Sequence, residues 1–229
     1  MAPQVDEVLA ELRARSDRSR RPGMASVGIN VERAIGVSMP DLRSLARNHR
    51  GDHALALALW DSGIHEARIL ASLVEDPALV TERQMEEWSA DFDSWDLCDQ
   101  VCGNLFDATP FALRKAHAWS RREEEFVVRA GFTLIATRAS RDRVSPDILF
   151  ERMLPLIHRA ATDDRNYVKK AVSWALRAIG KRSRTLHTAA IAEARRLVQL
   201  GSSSARWIGR DALRDLERVS VTRRLTSRG

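Results

Sequence analysis

The feature that most limits the fold of this chain is its succession of short helical segments, which are joined by short links. Alternation of polar and apolar residues is rare and no Asn-Gly or Asp-Gly hairpin turn occurs, so strand signals are almost absent. We therefore predict an all-α fold. Helical segments are predicted near residues 3–15, 40–48, 52–60, 64–73, 81–90, 95–105, 125–137, 164–179, 183–199 and 203–218.

Several helix boundaries carry residues that are typical of helix ends. Ser94 is a suitable cap for the first turn of the segment that follows it. Thr109-Pro110 opens a second segment and Ser145-Pro146 opens a third. Asp163 or its neighbour is expected to cap a later helix, and Gly180 is expected to end that helix.

The helical segments succeed one another in pairs. The pairs recur at about 35–40 residues, which is the period of helical repeats such as HEAT. Repeats of this kind stack into a curved solenoid. We predict a right-handed solenoid of HEAT-like antiparallel helix pairs with a basic concave face. It is expected to form one domain over residues 1–229, with a frayed tail from about 220 to 229. A globular helical bundle is the alternative.

The composition is typical of a soluble protein. Of the 229 residues, 44% are hydrophobic and 30% are charged, and no apolar run reaches the roughly 20 residues of a membrane helix. Cys98 and Cys102 share a helix face, where a disulfide is geometrically poor, and no zinc or nucleotide-phosphate motif occurs. We expect a cytoplasmic monomer that binds no membrane and needs no metal or other cofactor.

The charge is distributed unevenly along the chain. The net charge is +6, but residues 165–229 hold 16 Lys or Arg and 4 Asp or Glu, so this region carries +12 and the remainder −6. A basic region of this strength is typical of a protein that binds a polyanion. A solvated, arginine-rich surface is the alternative.

One tryptophan lies among cations in the segment DRNYVKKAVSWALRAIGKR at residues 164–182. On a helix, Lys170, Trp174, Arg177 and Lys181 cluster opposite the apolar stripe. An aromatic ring in this setting is suited to meet a sugar, a base or a cationic ligand beside phosphate-binding side chains. The alternative is a tryptophan that packs against the next repeat.

A second tryptophan, Trp95, stands four residues before Asp99 in the segment FDSWDLCDQVCGNLF, so the two side chains share a helix face. Cys98, Val101 and Cys102 are predicted to form the buried stripe beside them. An aromatic ring next to a carboxylate is a suitable pair for stabilising positive charge. The alternative is a core tryptophan with an aspartate that bonds a neighbouring loop.

Arg129 is the single charged residue between Phe126 and Thr137, in a helix that is apolar nearly all round and therefore predicted to be buried. A buried arginine needs an anionic partner, which could be Asp99, another acid or a DNA phosphate. An Arg–Asp pair that joins two repeats is the structural alternative.

Other polar and aromatic residues give weaker signals. Trp60 and Trp88 are predicted to pack between repeats, whereas His65, Glu66 and Arg68 are typical of a polar network at a helix start. No serine or cysteine is placed like an activated nucleophile.

Together these segments resemble the bacterial DNA alkylation-repair family of the AlkD type, whose members are HEAT-like-repeat alkylpurine DNA glycosylases. The resemblance runs from GVSMPDLRSLAR through LWDSGIHEARILASLVEDP and FDSWDLCDQVC to NYVKKAVSWALRAIGKR. The family's catalytic Trp-x-x-x-Asp matches Trp95 and Asp99, and its arginine in the following apolar helix matches Arg129. Its second tryptophan matches Trp174.

The resemblance implies a monofunctional glycosylase that hydrolyses the N-glycosidic bond of cationic N3- or N7-alkylated purines in duplex DNA without a metal. Two indole faces and one carboxylate are suited to stabilise a departing cationic base and an oxocarbenium-like sugar, and Asp99 would position the attacking water. Arg129 is expected to hold the DNA backbone. The other side chains expected to bind DNA are those of Lys169, Lys170, Arg177, Lys181, Arg182, Arg206 and Arg210.

Two alternatives stay open at the level of sequence. A non-catalytic repeat protein of the same fold would bind damaged or branched DNA without releasing a base. A protein-scaffolding array would use its basic face to hold an acidic partner. Release of a base from alkylated DNA separates the glycosylase from both.

Overall fold

A computed structural model describes residues 2–221, with side chains from residue 4 onward. In this range all regular structure is helical, which confirms the predicted all-α class. Residues 222–229 of the predicted frayed tail lie outside the described range. The α-helices are α1 (Ala2–Ala14), α2 (Arg21–Ser26), α3 (Met39–Ala46), α4 (His53–Asp61), α5 (His65–Val74), α6 (Glu82–Ala90), α7 (Trp95–Asn104), α8 (Ala112–Trp119), α9 (Glu125–Arg141), α10 (Asp147–Glu151), α11 (Leu154–Ala160), α12 (Asn166–Gly180), α13 (Arg184–Gln199) and α14 (Ser203–Leu216).

Each helical segment predicted above has a counterpart in the structure. The short helix α2 was not among the predictions, nor were the 3-10 turns Arg18–Arg20 and Phe106–Ala108. The segment that Pro146 opens is divided into α10 and α11, with Pro155 near the start of the second helix. Pro155 favours this division, since proline has no N–H to donate to the preceding turn.

Gly180 ends α12, as predicted, but its small size matters for packing. It does not adopt the positive φ that is typical of a glycine helix end. A β-carbon at this position would lie 2.8 Å from a Leu216 methyl and 2.9 Å from Ala190 Cβ. Glycine is therefore needed because α13 and α14 approach this point of α12 closely.

The chain folds into two compact units, Met1–Pro110 and Phe111–Gly229. In the first unit α4 and α5 form a hairpin, and α5 packs against both α3 and α7. Trp60 of α4 stacks on Trp88 of α6 with ring centroids 4.0 Å apart, which confirms that these two tryptophans pack between successive helix pairs. In the second unit α12 packs against α9, α13 and α14.

Hydrogen bonds between successive helix pairs show the repeat period directly. In the first unit, Trp60–Asp91 and His65–Asp96 join residues that are 31 positions apart. In the second unit, Arg129–Tyr167 and Ser173–Asp211 join residues that are 38 positions apart. Other hydrogen bonds between helix pairs of the second unit span 35 to 42 positions. These separations are close to the predicted period of 35–40 residues, whereas those quoted for the first unit are shorter.

Contacts along their lengths show that equivalent helices of successive pairs in the second unit run parallel. Between α12 and α14, for example, Asp163 meets Ser204 at the start of the helices and Lys181 meets Asp215 near their ends. The single-domain organisation, the right-handed sense and the basic concave face stay predictions. No helix within residues 2–221 has both the length and the apolar character to cross a bilayer.

Candidate functional site

Trp95 is the first residue of α7, and its indole ring is held in place by a main-chain contact. The indole N–H donates to the carbonyl oxygen of Val27 at 3.0 Å. The residue is only half-buried, so part of the ring faces solvent. The contact orients the ring without enclosing it.

Asp99 follows Trp95 by about one helical turn and is also half-buried. Cys98, Val101 and Cys102 on the same helix are fully buried. The predicted arrangement is thereby confirmed, with an apolar stripe in the core and the Trp95–Asp99 pair along its edge. The geometry leaves a ring and a carboxylate side by side, both with solvent-accessible surface.

The first turn of α7 is held by a network of buried polar side chains. Asp96 accepts from Ser94 Oγ at 2.6 Å and meets His65 Nε2 at 2.9 Å. Ser94 Oγ accepts from the Asn30 main-chain N–H at 3.3 Å. Ser94 precedes the helix, as predicted, but its hydroxyl bonds Asp96 and does not cap a backbone N–H. The network joins α5, α7 and the loop that follows α2.

Glu66 holds the segment that precedes α3. Its carboxylate is 1% exposed and accepts from the main-chain N–H groups of Ile35 at 2.9 Å and Gly36 at 2.6 Å. Arg68 bonds Asp91 at 3.0 Å. His65, Glu66 and Arg68, which were predicted to form a polar network at a helix start, thus bond three separate sets of partners.

The His65–Asp96 pair predicts a pH-dependent stability. Burial lowers the pKa of His65, but the hydrogen bond to Asp96 and the negative charges of Asp96, Glu66 and Asp93 together outweigh it and raise this pKa above 6.5. Burial raises the pKa of Asp96, but the hydrogen bond and charge of His65, together with the bonds from Ser94 and the Leu97 main chain, outweigh it and lower this pKa below 3.8. Stabilisation by the charged pair is therefore complete between pH 3.8 and pH 6.5, which are the ordinary pKa values of the two groups. It is lost as the pH rises through the raised pKa of His65 or falls through the lowered pKa of Asp96.

We expect Asp96→Asn to lower the free energy of unfolding by about 2 kcal/mol at a pH near 5, because a charged hydrogen bond is lost and a buried imidazolium is left without its counter-charge. The loss should be smaller at a pH near 9, because stabilisation by the charged pair is lost as the pH rises through the raised pKa of His65. Urea unfolding followed by circular dichroism at the two pH values measures the difference. Equal losses at both would contradict the charged pair.

Arg129 lies in the second turn of α9, the most buried helix of the second unit. The residue is 6% exposed, and its guanidinium donates to the main-chain carbonyl oxygen of Tyr167 at 2.8 Å. The predicted burial of this helix is confirmed, since nearly every residue from Val127 to Ala139 is buried. The contact ties α9 to the first turn of α12. An acidic or phosphate partner for Arg129 stays a prediction.

Trp174 lies on α12 and is half-buried, with the exposed Lys170 one turn before it. The other two cations of this predicted cluster contact acids of α14. Arg177 lies 3.4 Å from an Asp211 carboxylate oxygen and 3.5 Å from one of Asp215, and Lys181 also pairs with Asp215. Of the predicted cationic cluster, Lys170 is therefore exposed to solvent, whereas Arg177 and Lys181 form ion pairs with the next helix pair.

Arg182 requires a correction. Its side chain is 6% exposed and lies over the ring of Phe150, 4.1 Å from the ring centroid. It donates to the carbonyl oxygens of Asp142 and Ser145 and pairs with Asp147 at 3.2 Å. The structure contradicts the prediction that Arg182 binds DNA, because its donors hold together the link between α9 and α10.

Four of the predicted DNA-binding cations have no carboxylate partner within residues 2–221, namely Lys169, Lys170, Arg206 and Arg210. Among them lies Trp207, which is 39% exposed and which sequence reasoning missed. The signal for it was present, because an aromatic residue between Arg206 and Arg210 is off the apolar stripe of α14, as Trp174 is on α12.

Metal-ligating side chains do not cluster in the part of the chain that the structure describes. No group of three or more His, Cys, Asp or Glu residues there is suited to hold an ion.

Comparisons with known proteins match this architecture. A family model described as DNA alkylation repair enzyme matches residues 8–216. A solved structure described as a member of "a new family of proteins related to the HEAT-like repeat DNA glycosylases with affinity for branched DNA structures" superposes with a TM-score of 0.76 and 18% identity, covering 91% of this chain and 94% of that one. This likeness confirms the predicted HEAT-like helix-pair fold.

Two further solved structures are less similar. An engineered protein gives a TM-score of 0.36 at 12% identity and covers 79% of this chain and 93% of its own. A designed armadillo repeat protein in complex with the peptide (KR)4 gives 0.35 at 14% identity and covers 82% and 80%. No curated protein sequence matches the chain.

Proposed function

The chain belongs to the DNA alkylation repair enzyme family, and from this premise we propose that it is a DNA glycosylase for cationic alkylated purines in duplex DNA. The observation that carries the proposal is the pair formed by Trp95 and Asp99, both half-buried on one face of α7, with the indole anchored to Val27. A ring beside a partly exposed carboxylate is suited to stabilise positive charge, which binding of DNA alone does not require.

The reaction in this proposal is hydrolysis of the bond between C1′ of the deoxyribose and a ring nitrogen of the base. Alkylation at N3 or N7 gives the purine a positive charge, so it leaves with the bonding electron pair as a neutral base. Positive charge then develops on the sugar, where a carboxylate and the face of an indole ring stabilise it. Water forms the new bond to C1′ and loses a proton to solvent.

In this mechanism Asp99 has two roles. Its negative charge stabilises the cationic sugar, and its oxygens accept a hydrogen bond from the attacking water and orient it. Trp95 presents a ring face to the same positive charge. The His65–Asp96 pair acts on the reaction only indirectly, because it holds the first turn of α7 on which Trp95 lies.

Trp174 and Arg129 contribute to the same reaction in this proposal. Trp174 is half-buried on α12 and supplies a second ring surface for a cationic base or sugar. Arg129 is only 6% exposed and bonds the carbonyl of Tyr167, so its role is to position the start of α12. The exposed cations of α12 and α14 supply the attraction for DNA phosphates.

The proposal is tested by release of a methylated base. Purified protein is expected to release 3-methyladenine or 7-methylguanine from methylated duplex DNA at a rate that a chelator of divalent metals leaves unchanged. The released base is measured by chromatography. A protein that binds this DNA and releases nothing contradicts the proposal.

Trp174→Ala is expected to slow base release about tenfold, because a cation–π contact in a partly desolvated site is lost. Trp174→Phe retains an aromatic face and serves as the matched control, with a smaller loss expected. Single-turnover rates separate this effect from weaker DNA binding. Equal rates for wild type and both variants would remove Trp174 from the site.

A second candidate function is non-catalytic binding of branched DNA. The observation in its favour is the fold shared with a protein described as having affinity for branched DNA structures. Such a protein would bind junctions without releasing a base, so the base-release assay distinguishes the two functions.

A further inference from the structure

Trp207 is an exposed aromatic side chain that the proposed reaction does not use. It is 39% exposed on α14, whereas every other tryptophan within residues 4–221 is buried or half-buried. An indole ring in water is unusual, because its large apolar surface normally stabilises a core. Packing in the core therefore does not explain why the Trp207 side chain is exposed.

The core side of α14 is complete without Trp207. Ala205, Ile208, Ala212 and Leu216 are fully buried and form the apolar stripe of the helix. A β-carbon on Gly209 would lie 2.5 Å from the carbonyl oxygen of Ala194, so α14 is pressed closely against α13. The helix is thus held firmly by its other side, and Trp207 is carried on a rigid support.

The surroundings of Trp207 are cationic. Lys169 Nζ lies 5.5 Å from the centroid of the indole ring, within the range of a cation–π contact. Arg206 and Arg210 flank Trp207 on α14, and both are exposed. Neither these two arginines nor Lys169 and Lys170 have a carboxylate partner among residues 4–221.

The two acids of α14, Asp211 and Asp215, do not offset the charge of this surface, because each is already paired. Asp211 accepts from Ser173 and pairs with Arg177 and Arg214.

Asp215 pairs with Lys181, Arg177 and Arg218. With both acids of α14 paired in this way, Lys169, Arg206 and Arg210 give the surface around Trp207 a positive charge. Charge complementarity therefore selects a polyanion as the occupant.

We propose that Trp207 is a stacking platform for an unpaired DNA base, with Lys169, Arg206 and Arg210 holding the phosphates on either side of that base. Stacking on an aromatic side chain is the usual way in which single-stranded nucleic acid is bound, since every base has a face to offer. A base inside an intact duplex is stacked on both sides and has no free face for an aromatic side chain. The ligand class is therefore DNA with an unpaired arm or a bulged nucleotide, and the inference rests on the DNA binding in the proposed function.

The test compares two DNA ligands with equal numbers of phosphates, a blunt duplex and a duplex with a single-stranded arm. Trp207→Ala is expected to bind the armed DNA about tenfold more weakly than wild type does, with little change for the blunt duplex. Trp207→Phe should recover most of the difference. Ile148→Ala, which removes another exposed apolar side chain in the same unit, is the control and should change neither affinity. Fluorescence anisotropy at fixed salt measures all affinities.

Three outcomes overturn the inference: unchanged binding by Trp207→Ala, an equal loss for both DNA ligands, or wild-type protein that binds neither. Thermal unfolding of each variant shows whether a loss of binding reflects a loss of fold. Base release is measured in parallel on methylated duplex. Selective loss of armed-DNA binding in a protein that releases no base would support the inference and contradict the proposed glycosylase.

Discussion

Replacing Asp99 by asparagine is expected to lower the rate of base release about a hundredfold, which is the scale of removing one electrostatic contact to a charged transition state. Asparagine has almost the same shape as aspartate, so the packing of α7 is retained. The negative charge and one water-orienting oxygen are lost. Single-turnover release of a methylated purine measures the effect.

The matched control is Asp93→Asn. Asp93 is exposed in the same acidic region, and its carboxylate accepts from the Asn30 side chain at 2.9 Å. The control removes one negative charge close to α7 without touching the Trp95–Asp99 face. A comparable loss in both variants would show that general electrostatics, and not a placed carboxylate, explains the effect. DNA affinity is expected to change little in either case, because the charge acts on the transition state.

Replacing Gly36 by alanine is expected to lower the free energy of unfolding by at least about 3 kcal/mol. Gly36 has a φ of +84°, which is unfavourable for alanine, and a β-carbon there would lie 2.0 Å from the carbonyl oxygen of Asp17. The segment has little room to move away, since its N–H groups bond Glu66. Urea unfolding measures the loss.

Gly51→Ala provides the matched control for this prediction. Gly51 has nearly the same φ of +83°, but a β-carbon there would meet nothing within 4 Å. We expect a loss of about 1 kcal/mol, which is the cost of the backbone conformation alone. The difference between the two variants isolates the clash with Asp17. Equal losses would mean that the close approach of residues 17 and 36 does not persist in solution.

Local periodicity was sufficient to place most helices of this protein. The start of α7 after Ser94 and the end of α12 at Gly180 were both predicted, because the 3.6-residue repeat depends on neighbours in the sequence. The capping bonds expected of Ser94 and of Asp163 or its neighbour were wrong, since neither α7 nor α12 has a side-chain cap at its first turn. The burial of Arg129 was predicted on the same basis, since its helix is apolar on all sides. The short helix α2 lacks such a pattern and was missed.

The roles of the cations could not be assigned in the same way. Arg177 and Arg182 lie in the same basic segment as Lys170, and the sequence predicts the same DNA-binding role for all three. In the structure Arg177 pairs with acids of α14, Arg182 is buried over Phe150, and Lys170 faces solvent. Their partners lie on other helices, some of them nearly 40 positions away along the chain, and no local pattern reveals which side chains will meet across a repeat.

By itself, therefore, the sequence determined the helical class, the apolar stripes and the candidate pair of Trp95 and Asp99, because these depend on residue chemistry and on spacing within one helix. Only the tertiary structure decided the repeat periods, the anchoring of Trp95 by Val27 and the exposure of Trp207. These features arise where one helix pair packs against the next, and packing partners are set by the offset between repeats and not by neighbours along the chain.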